Sequence, residues 1–207
     1  MPRSLNTKEK IASVSLTMFS KKGFDGVSVR DIASAVGIKE SSMYNHYHSK
    51  KDILDSIIDE QSIRCEELIK KTFSDALQND FTQISAYENV AEKIFTRLFK
   101  DKATAKFWNI LNSERSKNKK CSEKISKIFF DDILGYIMTL FYQLSSQGIL
   151  KNISPAVLAL EFYSPLYIIF QRYYVAPFEN SEETEPLTES MMKEHIAEFC
   201  KNYKIKE

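Results

Sequence analysis

Glycine and proline are scarce in this chain, five of each in 207 residues. So few breakers leave no room for the many turns of an all-β fold, and long helices follow. Cysteine is scarcer still. Cys65, Cys121 and Cys200 are odd in number, far apart and outside any metal-ligand spacing, which excludes a disulfide scaffold and points to a reducing cytoplasm. No apolar run is long enough to span a bilayer: the longest, Pro155 to Phe170, contains Glu161 and Ser164 and is followed by Arg172. The opening residues MPRSLNTKEK lack the apolar core of a signal peptide, so a cytoplasmic protein is expected. A glycine-rich phosphate loop, an HExxH pair and a cysteine matched to a histidine are all missing, so neither an enzyme nor a cofactor is expected. His46 and His48 form an H-x-H pair with no third ligand nearby, and no metal site is assigned.

What the chain does have is concentrated between Val27 and Lys51, VSVRDIASAVGIKESSMYNHYHSKK. Ser28 stands before an apolar-periodic run (Val29, Ile32, Ala33, Val36), with Asp31 three residues on, the pattern of a capped helix start. Gly37 supplies the left-handed backbone that ends this helix, and Ala33 is small enough to let a following helix cross closely. Ser49 and Asp52 repeat the cap, so the helix in between is short. That segment, Lys39 to Tyr47, is rich in groups able to bond phosphates and base edges, with Met43 and Tyr47 as inward anchors and Ile38 plugging the turn.

The order Gly23-Phe24, Ser28-Val29-Arg30-Asp31-Ile32-Ala33, Gly37-Ile38, Tyr44-Asn45-His46-Tyr47 and Lys50 to Leu54 resembles the amino-terminal domain of TetR-family transcriptional repressors. Ser41 stands where that family often has glycine, and Tyr47 where it usually has phenylalanine. The resemblance covers about the first quarter of the chain and implies an all-α fold. Residues 1–50 would form a three-helix helix-turn-helix head, and residues 51–207 a larger helical domain for effector binding and dimerisation. It further implies phosphate contacts from Ser28, Tyr44, His46 and Lys50, with base contacts from Arg30, Lys39, Glu40, Ser42 and Asn45. The implied function is a ligand-released repressor that binds a pseudo-palindromic operator as a dimer. The alternative is an architectural DNA-binding protein without an effector.

Charge agrees with a DNA-binding head. Through Lys51 there are nine basic residues against four acidic ones, whereas the whole chain carries a net charge of only +1. Asn6 or Thr7 caps a first helix with Ile11, Val14, Met18 and Phe19 on one face. The head core is assigned to those four residues with Phe24, Val29, Ile32, Val36, Ile38, Met43 and Tyr47, buttressed by a helix from Ser49. Helical periodicity returns from Ile84 to Phe99 and around Trp108, then, after a polar link from Asn112 to Lys120, from Ile125 to Leu144. Asp132 interrupts that last run between Phe129 and Tyr136. Phe95, Phe99, Trp108, Phe129, Asp132, Tyr136, Phe141, Tyr163, Tyr167 and Phe170 are the candidate lining of a site for a small hydrophobic or amphipathic effector. The helix from Pro155, kinked at Pro165, and a last helix after an acidic loop from Glu179 to Glu185 are expected to pair with their twins in a homodimer, as the resemblance implies.

Overall fold

The computed structural model describes residues 6–99, 101–172 and 181–204. Among these the secondary structure is helical, apart from one isolated antiparallel bridge between Leu150 and Lys204. Asn6 begins α1 (Thr7–Lys22) with a reciprocal capping box to Glu9, Lys21 and Lys22 occupy the last turn, and Gly23 closes it at φ 71°. Then come α2 (Val29–Val36), α3 (Glu40–Met43) and the long α4 (Lys50–Ala76). α5 (Ile84–Ile94) passes directly into a π-helical turn, Phe95–Phe99, and α6 (Lys102–Glu114) follows. α7 (Lys119–Ser126), a π-helical stretch Lys127–Ile133 and α8 (Leu134–Ser146) run without interruption, ahead of α9 (Pro155–Phe170) and α10 (Ser181–Tyr203).

The chain divides into two compact units, one of Met1–Arg64 with Lys102–Ile125, the other of Cys65–Asp101 with Ser126–Glu207. In the first, α1 packs on α2 and α6, and α2 packs on α3. Its amino-terminal core contains Ile11, Phe19, Ile32, Met43 and Tyr47 as the pattern predicts. Leu16 and Val27 are buried as well, whereas Val14, Met18, Phe24, Val29, Val36 and Ile38 are only half covered. α4 contributes Ile53, Leu54, Ile57 and Ile58 to the buried set.

The second unit is built on α8 against α9, α9 against α10 and α10 against α5. Phe95, Phe99, Phe129, Phe141, Phe162 and Phe170 are all buried in it. The polar link of the sequence reading is shorter than Asn112 to Lys120, because α6 persists through Glu114 and α7 starts at Lys119. α9 begins on Pro155 and continues past Pro165. α10 starts at Ser181, inside the stretch expected as an acidic loop; Pro177 and Glu179 lie outside the described residues. Among the described residues no helix is long and apolar enough to cross a membrane.

Candidate nucleic-acid interface

The reading unit is assembled from local backbone chemistry. Ser28 accepts the Asp31 amide at 3.1 Å, while Asp31 Oδ2 accepts both the Ser28 amide at 2.9 Å and its hydroxyl at 2.6 Å. Hydrogen bonds to Ser28 hold the Asp31 carboxyl below its ordinary value, a box that fixes the direction in which α2 leaves the loop. At the other end Gly37, at φ 81° and ψ 32°, donates to Ala33 O and Ser34 O, and Ile38 donates to Ala33 O at 3.0 Å. This left-handed residue turns the chain into α3.

α3 is a single regular turn prolonged by bonds from His46 and Tyr47 to Met43 O, at 2.9 and 3.0 Å. Met43 and Tyr47 are buried, so they anchor the segment and leave Lys39, Glu40, Tyr44 and Asn45 facing solvent. Tyr44 is 51% exposed, too open for a core aromatic. Ser42 and His46 are half covered, and Arg30 on α2 is exposed. Lys8 lies 5.4 Å from the Tyr47 ring centre, a cation on the back of the anchor.

Two of the residues to which the resemblance gives phosphates are engaged within the protein. The Ser28 hydroxyl donates to Asp31. Lys50 Nζ donates to Phe24 O and Val27 O, both at 2.8 Å, and sits 4.1 Å from the Phe24 ring centre. Ser49 does cap α4, accepting the Asp52 amide at 3.1 Å, but the Asp52 carboxylate reaches back to the His48 amide and not to that of Ser49.

The candidate effector residues do not converge on one place. Phe95, Phe99, Phe129, Tyr163, Tyr167 and Phe170 form one cluster, in which Phe99 stacks on Phe170 at 3.8 Å and Phe129 meets Tyr167 at 5.1 Å. Phe141 belongs to a neighbouring group with Phe162 and Phe199, and Tyr136, 36% exposed, stacks on Phe73. Trp108 lies in the first unit, beside Phe107. Among the described residues the buried Tyr163 hydroxyl has no hydrogen-bond partner, and burial pushes its pKa well above the ordinary range. Asp132 is ion-paired: Lys127 donates to both its carboxylate oxygens, at 2.7 and 2.8 Å. That pair is five residues apart in the π-helical stretch, where such residues share a face. Ile128 and Ile133 are buried as the apolar run predicts, Asp132 is half-buried in its ion pair, and Tyr136, read as part of the run, is exposed.

Residues 11–57 match the sequence family described as bacterial regulatory proteins, tetR family. The amino-terminal head is similar to that of the TetR family. Among curated relatives, the biofilm operon icaADBC HTH-type negative transcriptional regulator IcaR of Staphylococcus aureus (strain Newman) is 47% identical over 58 residues. The alignment spans 28% of this chain and 28% of that regulator. Likeness over the full length is one of fold. A putative TetR-family regulator from Mesorhizobium loti superposes with a TM-score of 0.77 at 16% identity, covering 96% of this chain and 97% of its own. AibR, solved with isovaleryl coenzyme A and operator DNA, superposes with a TM-score of 0.60 at 16% identity, covering 90% and 98%.

Sequence reasoning about the TetR head did not reach what α6 and its link contribute. Glu114, 6% exposed, accepts the Phe24 amide at 3.4 Å. Lys117 pairs with Asp25 at 2.8 Å, and Lys106 donates to Thr17 at 2.9 Å. These partners are about ninety positions apart along the chain, so no local pattern could signal them.

Proposed function

We propose that this chain is a transcriptional regulator, a repressor that binds a pseudo-palindromic duplex as a homodimer and leaves it when a small molecule occupies the helical body. One observation carries the reading: Lys39, Glu40, Tyr44 and Asn45 project from a short helix braced by Met43 and Tyr47, and their side chains hold no hydrogen bond or ion pair among the described residues. Polar side chains held out on a rigid seat and left unsatisfied suit a partner rich in donors and acceptors. In this reading Tyr44 and His46 position phosphates, Ser28 holds the start of α2, and Arg30, Lys39, Glu40, Ser42 and Asn45 meet base edges. Residues 1–50 supply the DNA contacts and 51–207 the dimer and effector functions, in a cytoplasmic protein.

Support for the dimer comes from α9 and α10. Val157, Leu160, Ser164 and Ile168 recur at helical spacing and are exposed, as are Leu187 and Met191 on α10. An apolar stripe of this kind on the last two helices is suited to a two-fold copy of itself. Repression is supported by the negative regulator IcaR, and an amphipathic effector by the isovaleryl coenzyme A bound to AibR. The tight stacking of Phe99 on Phe170 favours a second reading, DNA binding with no effector, because those rings already fill the space between them.

The test is selection of duplexes from a random library by the purified full-length chain, followed by affinity measurements across a salt series. A selected pseudo-palindrome, bound with steep salt dependence and weakened about tenfold by Tyr44→Ala, is the expected result. Failure to select any sequence would refute the regulator reading. Isovaleryl coenzyme A as a first probe, then longer acyl thioesters, separates the two readings through release from the selected duplex.

A further inference from the structure

Between the caps Gly23 and Ser28, four residues, Phe24 to Val27, make the loop from α1 to α2, and charged groups grip their backbone from two directions. From the start of α4, Lys50 gives two of its three donors to Phe24 O and Val27 O and rests its charge on the Phe24 ring. From the end of α6, the buried Glu114 carboxylate accepts the Phe24 amide, and just beyond it Lys117 pairs with Asp25. The loop has no slack of its own. A side chain at Gly26 would meet Lys22 O at 2.4 Å, and Val27 is 1% exposed. Beside it opens a cavity of about 690 Å³ bounded by Phe24, Asp25, Leu54, Glu114, Lys117 and Lys120, so the charged contacts do what apolar packing does elsewhere in the head.

The residue that follows this loop is Ser28, the cap of α2, and α2 leads through Gly37 into the reading segment. Moving the Val27 carbonyl therefore moves the start of α2 and everything the helix-turn-helix presents. A charged donor or acceptor bonded to a neutral partner makes about twice the bond a neutral pair makes, and giving up full hydration for a backbone partner is costly unless the geometry is held. Two of the three Lys50 donors are committed to the loop, so only one is left to meet a phosphate.

We propose that Lys50 and Glu114 are positioning residues for DNA reading: together they clamp the loop between α1 and α2, and Lys50 acts on DNA affinity through that loop and not through a phosphate. The inference rests on the DNA-binding reading above and reassigns one of its residues.

The experiment uses the full-length chain and the duplex that it selects from a random library, with affinity measured across a salt series for Lys50→Met, Lys50→Arg and Glu114→Gln. A phosphate ligand lost at Lys50→Met would flatten the log–log salt slope by about two, one for each half-site of the dimer, and Lys50→Arg would keep affinity. A clamp predicts the opposite: all three variants weaken binding by about tenfold, the slopes of Lys50→Met and Glu114→Gln stay at the wild-type value, and Lys50→Met with Glu114→Gln together cost little more than either alone. Binding within about twofold of wild type for Lys50→Arg, or a shallower slope for Lys50→Met, overturns the proposal. Lys50→Arg changes a half-covered surface side chain, so it answers the question even where Glu114→Gln prevents folding. If the wild-type chain selects no duplex, the regulator reading falls, and amide exchange still decides the clamp. Exchange at Ser28 and Asp31 about tenfold faster in Lys50→Met upholds it, and unchanged exchange sinks it.

Discussion

Ser28 spends its hydroxyl inside the protein, and the consequence is measurable as pH is lowered. Bonds from Ser28 keep the Asp31 carboxyl below its ordinary 3.8, so the folded state is favoured above that value and loses this contribution as pH falls through the lowered one. Folding of the head is therefore expected to weaken in acid, and Ser28→Ala should remove that part of the dependence, checked by melting temperature against pH. At neutral pH the same substitution should cost about 1 kcal/mol, the usual penalty for losing a cap. Gly26 gives a second residue-scale expectation. A methyl group 2.4 Å from Lys22 O cannot be absorbed by a flexible side chain, because the obstructing atom is backbone. Gly26→Ala should destabilise the chain by roughly 1–3 kcal/mol in urea unfolding, as overpacking does. The caps at Asn6 and Ser28 and the turn at Gly37 were legible in the sequence because each depends on residues within four positions. Lys50 was not. Its partners lie 23 and 26 residues earlier, and lysine before an apolar helix looks the same whether it faces a phosphate or a carbonyl.

Among the elements, α7, the π-helical stretch and α8 show where periodicity reasoning stops. The apolar run from Ile125 to Leu144 was legible as a helix, yet its faces were not, because the stretch from Lys127 to Ile133 holds one residue more than a 3.6-residue period accommodates. Asp132 interrupts the run and is half-buried, its carboxylate held by Lys127. The π-helical turn Phe95–Phe99 has a similar place at the end of α5 and carries Phe99 into the aromatic cluster. Phe99→Ala should cost roughly 3–5 kcal/mol by chemical denaturation, since a ring buried against Phe95, Phe129 and Phe170 leaves a cavity that rigid neighbours cannot close. A smaller loss would mean that the π-helical turn relaxes to refill the space. That α6 packs on α1 was invisible for a different reason: both helices are amphipathic, and amphipathicity says that a face is covered without saying by what.

For the molecule as a whole, the all-α fold and the helix-turn-helix were legible at once, from scarce glycine and proline and from one compact motif. The division of labour beyond the motif was not, because the units are discontinuous: Lys102–Ile125 joins the head, though it follows the first stretch of the second unit. The exposed stripe of α9 carries the prediction at this scale. Ile168→Glu, at a position 64% exposed at the end of an apolar row, should leave the fold unchanged and yield a monomer by sedimentation. Affinity for a two-half-site duplex should then fall by about a hundredfold, since avidity is lost while each head is intact. A variant that stays dimeric would place the interface elsewhere. The surplus residue between Lys127 and Ile133 has a last consequence, for descent. It is stored inside a helix, so it can be gained or lost without lengthening or shortening any loop, and each such event turns everything downstream by about 100°. A single-letter gap in an alignment, of the kind usually dismissed as noise, would exchange the buried face of α8, with Ile137 and Phe141, for the face that now carries Met138 and Tyr142. Lineages could thus acquire a new interior at this helix in one step, while the backbone outline hid the change.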